Sequence, residues 1–167
     1  MNAGWMMANN RVVVSIIAAS TLLIGMVAGY EKYVPTVYMP TPQDVPTIGY
    51  GTTVNPDTGK RIAFGDQKIS EATAKRWLMK DVAKYEARMR RCVRVPVTQG
   101  EWDAYTSLAY NIGTGAFCGS TLVRKLNAGD YAGACKQILR WDKQKGRVLR
   151  GLTRRRNAEY KLCIGGA

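Results

Sequence analysis

The pattern of apolar and polar positions changes twice along the chain. From Val12 to Tyr30 the run VVVSIIAASTLLIGMVAGY carries no charge over nineteen residues, bounded by Arg11 and Glu31. As one helix it would rise about 28 Å, close to the thickness of a hydrocarbon core. Residues 31–66 are instead rich in Pro, Gly, Thr and Tyr. There VPTIGYGTTV alternates and is β-branched, NPDTGK supplies turn chemistry, and RIAF follows, which predicts a short, curled β-hairpin. Beyond residue 68 the period becomes helical. Ala72, Ala74, Trp77, Leu78, Val82, Tyr85 and Met89 keep helical spacing behind an N-cap at Ser70 and acidic Glu71, predicting a long helix of about six turns. Thr98 opens a second helix with Trp102, Tyr105, Leu108 and Ala109 on one face and a stop at Gly113. GSTLVRKLNAGD and YAGACKQILRW predict two short helices, and GLTRRRNAEYKLCIGG a last one fraying at Gly165 and Gly166. The expected fold is α+β and mostly helical. A small hairpin lobe joins a helical lobe through the long helix, and a groove between them would suit an extended ligand.

The chemistry of the uncharged run refines its reading. Ser15, Ser20, Thr21, Gly25, Gly29 and three alanines dilute its apolarity. Arg11 on its N-terminal flank orients the N-terminus to the cytoplasm, so the rest of the chain would be translocated. A cleavable signal peptide would use VAG before Tyr30. The run is long for a signal core and no A-x-A pattern is present, so an uncleaved, weakly held anchor is the expectation. Residues 1–29 then form a tail and signal-anchor segment, and residues 30–167 the folded domain.

Charge and residue usage exclude several function classes. Twenty-five Lys and Arg against twelve Asp and Glu give a net charge of +13, which points to a polyanionic partner or surface. Histidine is absent, which removes Ser-His-Asp and Cys-His hydrolases and histidine-based zinc enzymes. Cys92, Cys118, Cys135 and Cys163 are widely spaced with no C-x-x-C pair, so no metal site is expected. Downstream of an export-type segment they read as two disulfides, with three pairings open. The stretch RWDKQKGRVLRGLTRRR holds eight Lys or Arg and one Asp. It reads equally as a solvated helical face and as attraction to anionic peptidoglycan or lipopolysaccharide. Nucleic acid is not expected as a partner, because only Trp141 within the run could stack on a base.

One acid–hydroxyl cluster lies directly after the anchor. Two carboxylates flanking a bond, one protonated and one ionised, are the equipment for cleaving a glycoside. Glu31 is followed by Tyr33, Val34, Val37 and Tyr38, which favours partial burial, whereas Asp44 sits between prolines in a wet, turn-like stretch. Thr47 opens the strand-like run and could hold a water. Spacing by itself favours an interfacial charge for Glu31 and a turn former for Asp44 over a catalytic pair.

The motifs E…Y…PTIGYGTT, AYTSLAYNIGTGAFCGSTLVRKLNAGD, RW and GLTRRRNAEYKLC, in that order, make residues 31–163 resemble the phage lysozymes of the T4-like glycoside hydrolase class. With the weak anchor, the chain resembles their signal-anchor-release (SAR) endolysins from phages of Gram-negative hosts. The resemblance implies a two-lobe lysozyme fold and hydrolysis of the β-1,4 bond between N-acetylmuramic acid and N-acetylglucosamine in peptidoglycan, with no cofactor. By position it makes Glu31 the general acid and Thr47 the catalytic-site threonine. Tyr110 becomes a groove aromatic, Ser120 or Thr121 a groove hydroxyl, and Gly51 and Thr53 the hairpin edge lining the saccharide cleft. The second acid departs from the pattern: its usual place is Pro40, or Thr41 after a one-residue insertion. Asp44 is the acid left in the loop and is the expected base; a site of Glu31 and Thr47 alone, or an acid recruited from Asp57 or Asp66, are the other readings.

A membrane-held segment would keep Glu31 at the periplasmic interface and the enzyme silent; release would let the segment pack on the domain and set Glu31 in place. The expected life of the protein is thus N-in, C-out at the inner membrane through residues 12–30, then periplasmic and monomeric. A catalytically impaired wall-binding or membrane-permeabilising protein is the alternative. Cys92 closes the long helix and Cys118 ends the NIGTGAFC turn, so these two are expected to pair, as are Cys135 and Cys163.

Overall fold

The structure is a computed structural model and describes residues 10–165; the start of the anchor expectation (residues 1–9) and the fray at Gly166 lie outside the described residues. The uncharged run does not form one helix. Its second half is helical, as α1 (Thr21–Tyr30), while Val12 forms an antiparallel bridge with Val97 through hydrogen bonds of 2.9 and 3.0 Å. Competition for backbone carbonyls explains the break. The Arg90 guanidinium donates to the Val14 and Ile17 carbonyls and the Gln99 amide to that of Ala18, groups that a continuous helix would need for its own ladder. Ser20 donates both its N–H and its hydroxyl to Asp103. No helix among the described residues is long and apolar enough to cross a membrane.

The chain divides into two units, Thr21–Lys84 and a second made of the residues up to Ser20 together with those from Tyr85 onward. In the first, β1 (Val34–Tyr38) pairs antiparallel with β2 (Thr47–Gly49), Val34 opposite Gly49 and Tyr38 opposite Thr47, with a bulge between. The sequence pattern hides β1, whose five residues are interrupted by Pro35; the Pro35 carbonyl accepts the Ile69 N–H, which suits an edge strand. The expected hairpin of VPTIGYGTTV and RIAF contracts to the isolated bridge Val54–Arg61, and a second bridge, Ile48–Thr52, lies within its first arm. Gly49 has φ 69°, and a Cβ there would meet Ala74 Cβ and Ile69 Cδ1 at 3.1 Å, so two constraints select glycine. Ile48, Ile62 and Trp77 form the unit's small core, joined by Val37 and Ile69.

Helix α2 (Glu71–Met89) starts where Ser70 Oγ accepts the Thr73 N–H at 3.1 Å. Its nineteen residues make about five turns, one fewer than the pattern suggested. The NPDTGK turn is tied to it through Asp57, whose carboxylate accepts Lys80, Trp77 Nε1 at 2.8 Å and Arg76 at 3.0 Å. Hydrogen bonds from Lys80 first, then Trp77, hold the Asp57 carboxyl down at about 2. A depressed folded-state value contributes stability above the unfolded carboxylate range, lost as pH falls toward 2. Asp57→Asn should therefore flatten the decline in stability between about pH 4 and pH 2, measured by thermal unfolding across that window; an unchanged acid limb would refute the role.

In the second unit α3 (Gln99–Ile112) runs through the core, with Trp102, Ala104, Tyr105, Leu108 and Ala109 fully buried. Thr98 and Glu101 form a reciprocal capping box at its start. There follow α4 (Thr114–Cys118), α5 (Thr121–Asn127), α6 (Tyr131–Gln137) and a 3-10 turn over Ile138–Arg140. Helix α4, at five residues, is too short to print a period and was not expected. A two-residue hairpin of β3 (Lys143–Gln144) and β4 (Arg147–Val148) precedes α7 (Arg150–Gly165), which packs along α3. Leu108, Phe117, Leu122, Leu126 and Ile138 fill the core, and Ile17 of the N-terminal run joins them.

Disulfides Cys92–Cys118 and Cys135–Cys163 close the expected pairs, Cα atoms 5.6 and 5.7 Å apart. Each would contribute about 3 kcal/mol by loop closure. A buried ionic cluster lies between α3 and α7. Glu159, fully buried, accepts Ser107 Oγ at 2.6 Å, Arg155 Nε at 3.1 Å and Arg156. Arg156 also reaches Asn111 and the Trp141 carbonyl.

Candidate functional site

Helix α1 hands the chain directly to Glu31, whose N–H donates to the Val27 carbonyl at 2.9 Å. The acid therefore takes its position from the last turn of the uncharged segment, anchored through the buried Leu23 and Val27. Glu31 is half-buried. The Tyr38 phenol is held above its ordinary range, by burial first and then by the Glu31 charge. Tyr38 in turn stands opposite Thr47 across the β1–β2 ladder. Glu31, Tyr38 and Thr47 all belong to one unit.

Thr47 is buried and donates its hydroxyl proton to the Val45 carbonyl at 2.9 Å. With that proton committed, its oxygen meets any further partner as an acceptor, the polarity needed to orient a water. Asp44 sits in the exposed turn between the strands. Its N–H donates to the Thr41 carbonyl at 3.0 Å, and its Oδ2 accepts the Thr41 hydroxyl at 2.8 Å. The Thr41 hydroxyl is thus turned toward the Asp44 carboxylate. Asp57 and Asp66 are committed elsewhere, Asp57 to its three donors and Asp66 to the Ala63 N–H at 2.9 Å. Held by three donors, the Asp57 carboxylate is a weak base.

Gly51 is exposed and has φ 91° in the turn between Ile48 and Thr52. Its neighbour Thr52, not the exposed Thr53, points inward, with its hydroxyl 3.4 Å from Asp81. In the second unit, Tyr110 is half-buried and packs against Tyr85 with ring centroids 4.9 Å apart. The Ser120 hydroxyl caps α5, accepting the Val123 N–H at 3.2 Å and donating to the Phe117 carbonyl at 2.6 Å. Thr121 is exposed and accepts from Arg124. Arg150, Thr153 and Arg154, which the sequence reading left in a general basic stretch, line a cavity of about 420 Å³ on one face of α7.

The groups that hold the N-terminal run were also missed. Arg11 lies 2.7 Å from Glu101 and 3.7 Å over the Tyr131 ring. Asp103 is 1% exposed and binds Ser20, and Arg90 holds two carbonyls of the run. The one legible signal was Glu101 three residues after Thr98, and it announces a helix cap rather than a dock.

The phage lysozyme family model matches residues 28–159. The endolysin of Acyrthosiphon pisum secondary endosymbiont phage 1 is 41% identical over 120 residues, covering 70% of this chain and 77% of the relative. The SAR-endolysin of Enterobacteria phage P21 is 35% identical over 150 residues, covering 90% and 88%. Among solved structures, the endolysin from Escherichia coli O157:H7 phage FAHEc1 matches with a TM-score of 0.79 and 31% identity, covering 91% and 96%. With the order of elements, the acid at the head of the hairpin unit and a match across most of its length, the chain belongs to the phage lysozyme family.

Proposed function

We propose that this chain is an endolysin that cleaves the β-1,4 bond between N-acetylmuramic acid and N-acetylglucosamine in peptidoglycan, lysing the host at the end of a phage infection. The observation that carries the reading is Glu31, seated by the end of α1 beside Tyr38 and the Thr47 strand. Glu31 gives its proton to the glycosidic oxygen as the bond to the anomeric carbon breaks. A water oriented by the Thr47 hydroxyl attacks that carbon, and Asp44 takes the proton the water loses. The product is a reducing muramic acid end, and mass spectrometry of released muropeptides tests the reaction; an anhydro end would overturn it. Support for Asp44 is the Thr41 hydroxyl bond on one carboxylate oxygen. Asp44→Asn should lower turnover on purified walls about 10²-fold or more, and full activity would remove Asp44 from the base role.

The same reading has residues 12–30 hold the protein at the inner membrane, N-terminus in, until release to the periplasm. The fold supplies its physical support, because the two states compete for the same atoms. A membrane helix needs the Val14, Ile17 and Ala18 carbonyls that Arg90 and Gln99 occupy. The turn of α1 that seats Glu31 belongs to the same segment. Gly25 is exposed and a Cβ there meets nothing within 4 Å. Gly25→Leu should therefore spare the released fold, enrich the protein in membranes and delay lysis. Unchanged lysis timing with unchanged membrane fraction would count against the anchor.

A further inference from the structure

The β3–β4 hairpin is a cationic ribbon with an apolar edge. Its two-residue turn puts Lys145 at φ 48° and Gly146 at φ 77°, the primed geometry that brings short strands together tightly. Lys143, Lys145, Arg147, Arg150 and Arg154 are all exposed, and among the described residues none of them makes an ion pair. Along α2 the pattern is the opposite, since Lys75, Arg76, Lys80 and Lys84 each meet a carboxylate. Amid the unpaired cations, Val148 is 57% and Leu149 39% exposed. Trp141 is half-buried against the core, so the ribbon offers no free aromatic for stacking on a base or a sugar.

We infer that this ribbon docks the protein on a bilayer rich in anionic phospholipid, the cations meeting headgroup phosphates and Val148 and Leu149 entering the interface. Charge and a shallow apolar edge are the two signals that reversible interfacial binding requires. The site is independent of the proposed hydrolysis and of the N-terminal run, which lies elsewhere in the sequence.

The test compares the full chain with the Lys143→Gln/Lys145→Gln/Arg147→Gln variant on phosphatidylethanolamine vesicles with and without phosphatidylglycerol. The N-terminal run is common to both proteins, so its contribution cancels. Each cation near an anionic surface contributes roughly a factor of five in partitioning, so the variant should lose on the order of 100-fold of the phosphatidylglycerol-dependent binding. Added salt should shrink the difference. Val148→Ser/Leu149→Ser should weaken binding several-fold at constant charge. Binding to purified sacculi should be unaffected by either variant. Equal partitioning of variant and parent on phosphatidylglycerol vesicles overturns the inference, as does a loss of sacculus binding with vesicle binding intact. Matching thermal unfolding of variant and parent guards against misfolding.

Discussion

Glu31→Gln is expected to lower turnover of purified peptidoglycan by about 10²–10⁴-fold while leaving the fold in place. The amide keeps the size of the acid but carries no proton that the leaving oxygen can take. The Glu31 N–H bond to the Val27 carbonyl is a backbone contact and survives the change, so α1 should end as before. Thermal unfolding of variant and parent separates a loss of chemistry from a loss of fold. Loss of turnover with binding to sacculi retained is the signature of a group acting on the transition state. Clearance of permeabilised cells at more than roughly a tenth of the parent rate would exclude Glu31 as the proton donor.

The largest stability effect should come from Glu159→Ala. Glu159 is fully buried between Arg155, 5% exposed, and Arg156, 1% exposed, and it accepts the Ser107 hydroxyl as well. Truncation removes the carboxylate that the Arg155 and Arg156 guanidiniums and the Ser107 hydroxyl share out of water. Breaking one side of a buried ionic cluster costs about 3–5 kcal/mol, equivalent to a fall of on the order of 10 °C in unfolding temperature for a chain of this size. The damage should spread, because Arg156 also holds the Trp141 carbonyl and Asn111, joining the end of α3 to the approach to the hairpin. Glu159→Gln keeps the shape and one acceptor, so its cost should fall between parent and Ala. Near-parent unfolding of the Ala variant would mean that the cluster relaxes to water.

Much of the helical framework was legible because helices announce themselves locally. Ser70 and Thr98 precede α2 and α3 as caps, and the apolar spacing behind them follows one face for several turns. The disulfide pairs were legible because Cys92 closes the long helix and Cys118 ends a turn, which leaves Cys135 for Cys163. Strand β1 was not, since five residues broken by Pro35 carry no alternation, and its partner is chosen across a bulge. Glu31 could be singled out by motif order, but its neighbour Tyr38 came from pairing across the ladder. The fate of Thr41 was equally closed to the sequence reading. Whether the Thr41 hydroxyl reaches the Asp44 carboxylate depends on a turn geometry that no local pattern encodes.

The N-terminal run marks the boundary most clearly. The amino-acid order by itself determines that residues 12–30 are uncharged, diluted by small and hydroxyl residues, flanked by Arg11 and joined without a linker to Glu31. Only tertiary structure decides that this run becomes a bridge, a turn and a ten-residue helix. The reason is that an isolated apolar run satisfies its backbone most simply as a continuous helix. Here Arg90, Gln99 and Asp103, more than seventy residues further along, take over those backbone groups, and such distant partners leave no trace in the pattern of the run itself.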